Sequence, residues 1–376
     1  MEDIKMTDQK AQYARLKPEL DAAFSAAMAS MGSGEDFQVQ RFTQRLEADL
    51  QVGRAIACAS AAGALQLALT ALNLPAGAEI ILPAFADAMA AGLITDMGLK
   101  PVFADVLPDT FTLDPVAAEK AITPATAAIM PVHLFGQCAS MEALLQVASK
   151  YKLWVLEDNS QSFGADYIWK DGHSQKAGTI GHLGITSFYP AKPLGDQGEG
   201  ATVLTNDSAL AQSTENLLSA QLHGGINDNG IPAKLDIFQA AMLEVKVKYI
   251  DEFVAARQRI AGFYDAAFAA TPQVQAPQRA AYSTHVYEQY AITVAPEIRD
   301  DLKENLRDNH IPSMVYYSQP LHLQEAFLYL GYAPGVFPVS ERLSKTILSL
   351  PMHSELKEDQ LTYICGHVLD FVNKHS

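Results

Sequence analysis

Apolar residues recur at helical spacing near the start of the chain, at Leu16, Leu20, Ala23, Phe24 and Met28 and again at Phe42, Leu46 and Leu50. That spacing predicts two helices, separated by the break Met31-Gly32-Ser33-Gly34. From Ala55 the pattern changes to short apolar and β-branched runs alternating with helical stretches. Strands are predicted over 55–59, 79–83, 101–104, 127–131 and 153–157, with helices starting near Ala61, Ala86, Pro115 and Met141. The run Leu153-Trp154-Val155-Leu156 has no polar face, as expected of a parallel strand covered on both sides. Two further strands are predicted over 185–188 and 201–205, and a long amphipathic helical region over 236–268 carries Leu243, Val247 and Ile250 on one side. Beyond it, strands over 289–294 and 314–317 and helices near Arg299 and Asp359 predict a smaller α+β region. The fold class expected is therefore α/β, a mostly parallel central sheet with helices on both faces, followed by a smaller α+β C-terminal domain. The division is expected between a large domain, 1–246, and a small one, 247–376.

Composition narrows the function classes. A chain of 376 residues, 49% hydrophobic, can bury a sizeable core. Its formal net charge of −16 argues against a nucleic-acid partner, whose phosphates would be repelled. Three widely spaced cysteines, Cys58, Cys138 and Cys365, suit neither a disulfide frame nor a metal cluster, and point to a reducing compartment. No apolar run approaches the roughly 20 residues that cross a bilayer, and no basic-then-apolar leader opens the chain. No metal or membrane partner is expected, and the expected location is cytoplasmic.

The candidate chemistry centres on the turn-rich link between the strands predicted over 185–188 and 201–205. It holds Lys192, followed by Gly195, Gly198 and Gly200. A lysine there is either an exposed loop cation or a partly buried amine that can attack a carbonyl and form a Schiff base. Upstream, the strand at 153–157 runs into Glu157-Asp158-Asn159-Ser160-Gln161-Ser162-Phe163-Gly164-Ala165. Asp158 either caps the next helical turn or points into the crevice where α/β proteins bind ligands. Pyridoxal phosphate needs such a pair, a lysine for its aldehyde and an acid to keep its ring nitrogen protonated. After the strand at 55–59, Ser60-Ala61-Ala62 opens a helix whose free amides can seat a phosphate.

These motifs, together with Ser187-Phe188-Tyr189-Pro190-Ala191-Lys192-Pro193-Leu194-Gly195, Pro131-Val132-His133-Leu134-Phe135-Gly136 and Leu348-Ser349-Leu350-Pro351-Met352-His353, closely resemble the DegT/DnrJ/StrS group. These are fold-type-I, pyridoxal-phosphate-dependent nucleotide-sugar aminotransferases. The resemblance runs from Gln9 to the last helix. It implies that Lys192 holds pyridoxal 5'-phosphate and moves a proton, that Asp158 faces the ring nitrogen, and that Gln161 lies against the ring. Ser60, Ala61, Ala62 and Ser187 would hold the phosphate. It further implies a homodimer with shared sites, an amino-acid donor, L-glutamate, and a nucleotide-diphosphate keto-sugar acceptor for polysaccharide biosynthesis. His223 and Lys234 would face substrate, and so would His322 within Gln319-Pro320-Leu321-His322-Leu323-Gln324. That segment and Lys10-Ala11-Gln12-Tyr13 look most like the branch acting on 3-keto N-acetylated uronic-acid sugars. His133 reads as a structural histidine.

Three positions depart from the family pattern. Ala61-Ala62 stands where Gly-Thr is usual, and loss of one bond to phosphate costs about 1.5–3 kcal/mol. Asp87 stands where an aromatic stacks on the cofactor, leaving Phe85, two positions earlier, as the candidate ring. Pro232-Ala233-Lys234 stands where Asn-x-Arg is usual, after a short loop over 226–231. Two rival readings stay open: a pyridoxamine-dependent sugar dehydratase, whose relatives carry histidine in place of Lys192, and a weakened homologue acting as a regulatory subunit.

Overall fold

The computed structural model describes residues 3–31, 37–189, 192, 194–195, 198–222 and 234–375. Two helices, α1 (Gln9–Ser30) and α2 (Phe37–Leu50), lead into an alternating stretch. It runs β1 (Arg54–Cys58), α3 (Ala61–Ala71), β2 (Glu79–Pro83), α4 (Ala88–Asp96), β3 (Lys100–Ala104), α5 (Pro115–Lys120), β4 (Thr126–Ile129), α6 (Met141–Tyr151) and β5 (Trp154–Asp158). A hairpin of β6 (Asp166–Ile168) and β7 (Ser174–Lys176) precedes β8 (Leu183–Ser187), β9 (Ala201–Thr205) and α7 (Ser208–Leu222). Then come α8 (Ile237–Val247), α9 (Ile250–Phe268), β10 (Tyr290–Thr293), α10 (Pro296–Asp308), α11 (Pro338–Thr346), β11 (Ile347–Leu350) and α12 (Glu358–Lys374). The break expected between the first two helices falls mainly outside the described residues.

Helix starts follow local chemistry. Ser60 accepts from the Gly63 amide, Asp87 from Met89 and Asp114 from Val116, with Pro115 pre-set in the first turn. The central sheet has seven strands in the order β1-β9-β8-β5-β4-β2-β3. β3, β2, β4, β5 and β8 pair in parallel, while β9 is antiparallel to both β8 and β1. All strands but β9 therefore point the same way, as the alternating pattern predicts.

Two differences from the expectation have physical causes. The helical region expected over 236–268 is two helices, because each half buries into a different core. Ala240, Leu243 and Val247 join Phe42 and Leu46, whereas Ile260, Tyr264 and Phe268 join Leu361, Ile364 and Val368. The strand expected over 314–317 is a single bridge, Met314 with Ser349. The chain then leaves the two-stranded β10–β11 sheet, and Tyr317 turns into the core of the large sheet, beside Phe85 and Phe135. Leu321, Phe327, Phe337 and Leu343 of the tail also pack into that core. The division we propose between 246 and 247 falls at the end of α8. No helix among the described residues is long and apolar enough to cross a membrane.

Candidate active site

Because β1, β2, β4, β5 and β8 share one direction, their C-terminal ends lie along one edge of the sheet. Ligands of open α/β sheets bind there, outside the carboxyl ends of the strands. Each expected cofactor residue issues from one of these ends: Ser60, Ala61 and Ala62 after β1, Phe85 and Asp87 after β2, Asp158 and Gln161 from β5, Ser187 and Lys192 from β8. Lys234 joins the group through its main chain, bridging to Cys58 beside the start of α3.

Asp158 is fixed by the sheet itself. Its amide donates to the Pro131 carbonyl and its carbonyl accepts from the His133 amide, each at 2.9 Å. Its Oδ1 accepts from the Ser160 amide at 2.9 Å, so the carboxylate is oriented by its own turn while Oδ2 has no protein partner among the described residues. Gln161 Oε1 accepts from the Phe135 amide at 3.0 Å, and its Nε2 donates to the Tyr317 hydroxyl at 2.8 Å. One of its N–H groups is left over. Phe135 has φ +55° and Gly136 φ +114°. A Cβ on Gly136 would come 2.5 Å from the Tyr287 amide nitrogen, so only glycine lets the 285–289 loop close on this turn. Ser187 Oγ accepts from the Tyr189 amide at 3.3 Å, and its own O–H has no acceptor among the described residues.

Lys192 is held from the opposite side. Its side chain is 19% exposed, and its Nζ lies 3.4 Å from Glu288 Oε1, whose side chain is 3% exposed. Behind Glu288 the buried Arg257 guanidinium donates to the carbonyls of Tyr287, Glu288 and Met352 at 2.8, 3.2 and 3.2 Å. Burial pushes that guanidinium down to about 10, opposed by the negative charge of Glu288. Tyr317 ties the two halves together. Burial raises its phenol well above the ordinary value and the Gln161 bond opposes this, so it stays protonated. Its hydroxyl also feels Asp87, Glu288 and Asp158. Asp158 and Glu288 thus both act on the Tyr317 hydroxyl, and Glu288 in turn holds Lys192.

Other expectations are redirected. Phe85 is fully buried, with Tyr317 edge-on at 5.2 Å and 80°, so its ring belongs to the core and offers no open face for stacking. Asp87 is exposed and caps α4, which explains a carboxylate at that position without a cofactor contact. His322 is fully buried rather than facing a cleft, with Nε2 3.1 Å from Glu341 and its ring edge-on to Phe337. His223 lies outside the described residues. His133 is structural as expected: Nδ1 accepts from the Ala139 amide at 3.0 Å, so Nε2 carries the proton given to Glu157 at 2.7 Å. The Lys10 and Tyr13 side chains line a separate groove of about 840 Å³ with Phe24 and Met242, on the α1 face.

Sequence reasoning misses Glu288, Tyr317 and Arg257. Arg257 has a signal, a cation at helical spacing between Phe253 and Ile260 on a buried face. Glu288 and Tyr317 sit in irregular segments whose placement only the fold decides.

Residues 15–369 match the family model of the DegT/DnrJ/EryC1/StrS aminotransferases. The chain is 37% identical over 380 residues to the "Pleiotropic regulatory protein" of Geobacillus stearothermophilus, covering 98% of each. It is 34% identical to UDP-2-acetamido-2-deoxy-3-oxo-D-glucuronate aminotransferase of Pseudomonas aeruginosa, covering 96% of this chain and 99% of that one. The crystal structure of S. venezuelae DesV in complex with a ketimine intermediate superposes with a TM-score of 0.90 at 30% identity, covering 98% of each chain. The chain belongs to the DegT/DnrJ/EryC1/StrS aminotransferase family.

Proposed function

We propose that this aminotransferase uses pyridoxal 5'-phosphate to move an amino group from L-glutamate to the keto-sugar of a nucleotide sugar, in a cytoplasmic homodimer. The observation that carries the reading is that Asp158 and Glu288 both act on the Tyr317 hydroxyl while Glu288 holds Lys192. The residues present fit the cofactor by their chemistry. They are an amine 19% exposed, a carboxylate with one unpaired oxygen at a strand end, a serine O–H with no acceptor among the described residues, and a helix start. Bound there, the cofactor would supply an electron sink for carbon–nitrogen chemistry.

The protein's own residues divide the remaining tasks. Lys192 would hold the aldehyde and, once displaced, its amine would take a proton from the donor carbon and return one within the same half-reaction, as general base and acid. Asp158 would keep a ring nitrogen protonated, and the spare N–H of Gln161 would be offered to the ring's oxygen. The α3 N-terminus, Ser60 and Ser187 receive phosphate, with the Lys234 main chain alongside. Tyr317 and Phe135, ring centroids 5.9 Å apart and nearly parallel, hold the Gln161 amide from the core side. The keto-sugar acceptor is favoured by the Pseudomonas aeruginosa relative, named for a 3-oxo uronic-acid nucleotide.

The test is direct. Purified protein with added cofactor should absorb in the visible, lose that absorbance on borohydride with the cofactor covalently retained, and do neither as Lys192→Ala. Glutamate should yield more than one equivalent of 2-oxoglutarate per site only when a keto-sugar nucleotide is present, and a panel of such nucleotides identifies the acceptor. Turnover of Lys192→Ala should fall by at least about three orders of magnitude, the loss expected for removal of a general acid–base group and nucleophile. Protein that stays colourless and makes no 2-oxoglutarate would transfer the reading to a regulatory subunit.

A further inference from the structure

We propose that Glu288 is the counter-charge of Lys192 and the acceptor of its proton, the group that readies the amine for its carbonyl partner. The inference rests on the reading of Lys192 given above and extends it to a residue of a distant loop.

The loop is built to aim this carboxylate. Arg257 fixes the carbonyls of Tyr287 and Glu288, the Val286 amide donates to the Gly136 carbonyl at 2.7 Å, and the Gln289 amide donates to the Phe135 carbonyl at 3.3 Å. Tyr287 takes φ +50°, a left-handed conformation that a bulky residue adopts only when its surroundings impose it. With the main chain held on both sides of it, the Glu288 side chain is 3% exposed and, among the described residues, pairs with Lys192 alone. Its Oε2 is buried without a hydrogen-bond partner. A carboxylate in that setting is costly unless cations balance it. The charged and titratable groups around it are Lys192, Arg257, Tyr316 and Tyr317, with His353 beyond Arg257.

The balance of charge explains the arrangement. With Lys192 protonated, Arg257, Glu288 and Lys192 sum to one positive charge. When the Nζ–H bond breaks and the proton joins Glu288 Oε1, the amine keeps its electron pair and becomes a nucleophile. The carboxyl becomes neutral, and the cluster still carries one positive charge, now on Arg257 alone. The proton is then free to leave from Glu288 to solvent or to a leaving water, after which the charges of Arg257 and Glu288 sum to zero. Glu288 therefore holds the proton on Lys192 at rest, as an anion favours the charged form of a neighbouring amine, and is the base within reach when that proton leaves.

The experiment reads Lys192 in the full-length chain without cofactor. Pulse acetylation with acetic anhydride across pH, quantified at Lys192 by mass spectrometry, gives the pH of half-maximal labelling. Glu288→Gln should lower that midpoint by about one pH unit, since it removes the anion and leaves Arg257 facing the ammonium. Glu288→Asp should move it less than half as far. Glu288→Ala removes the same charge without asking an amide to fit, and carries the test if Glu288→Gln does not fold. Cofactor capture, compared at pH values that give equal labelling, should slow at least about tenfold in Glu288→Gln. A midpoint that stays put or rises, or an unchanged capture rate, overturns the proposal. If Lys192 labels normally but no coloured complex forms in any variant, the functional reading fails while the labelling comparison still judges Glu288.

Discussion

Glu157 and Glu288 are both buried glutamates near the same edge of the sheet, and they are satisfied in opposite ways. Glu157 Oε2 accepts from His133 Nε2 at 2.7 Å and the Gly178 amide at 2.9 Å, and Oε1 accepts from Ile180 and Gly181 amides at 2.6 and 2.5 Å. Four donors converge on one carboxylate, which pins the end of β5 to the 178–181 turn. Among the described residues, Glu288 has one cation at 3.4 Å and an oxygen with no partner. The lesson is that burial of a charge does not by itself mark function. A buried carboxylate whose partners are main-chain amides is a structural clamp, because those donors cannot leave. One whose partner is a reactive side chain can change state.

The contrast can be broken most sharply by removing each charge in turn. Glu157→Gln places an amide N–H among fixed donors, and should cost at least about 3 kcal/mol of unfolding free energy, measured by denaturant titration. Glu288→Gln should cost clearly less than that, since it breaks one long contact and leaves no fixed main-chain donor unpaired. Equal losses would erase the distinction.

Acid offers a second probe, aimed at the Glu288 loop. Burial pushes His285, three residues upstream, down to about 3, and its Nδ1 accepts from the Tyr287 amide at 3.1 Å. An ordinary histidine titrates near 6.5, so the unfolded chain takes up the proton first as pH falls. The stability this neutral ring represents is whole above about pH 6.5 and is lost as pH falls toward 3, at up to about 1.4 kcal/mol per pH unit. His353, pushed down to about 4 mainly by burial, adds to the same slope. Unfolding free energies between pH 7 and 4 should therefore decline, and His285→Asn should flatten the decline. An exposed carboxylate completes the series. Asp87→Ala should cost only about 1 kcal/mol, the value of a helix cap, with thermal unfolding as the readout.

Much of this molecule is written in its residue pattern. Continuous apolar runs place β2, β4 and β5 within a residue or two, and Asp158 and Lys192 stand out because each ends or follows such a run. The hairpin β6–β7, helices α7 and α11 and strand β11 escape the pattern. Ile347–Leu350 is only four residues long, and its apolar letters suit strand and buried helix alike. The pattern puts Tyr317 in a strand because aromatic and β-branched neighbours favour one; the fold instead uses its ring to fill the space between Phe85 and Phe135. Phe85 and Asp87 show the limit of matching by position. The chain keeps an aromatic and a carboxylate there, but packing sends the ring inward and helix capping turns the acid outward. Glu288 is illegible in the sequence, because its meaning depends on a lysine almost a hundred positions earlier and on an arginine from another helix.

The common direction of the strands has a consequence for how the protein is made. Seat and amine are encoded before residue 206, whereas the loop bearing Glu288 and the ring of Tyr317 emerge last from the ribosome. A nascent chain would present Lys192 to the cell's aldehydes without its counter-charge. Synthesis order thus makes the final third of the polypeptide a licence for a reactive nitrogen, granted only once the whole has been translated.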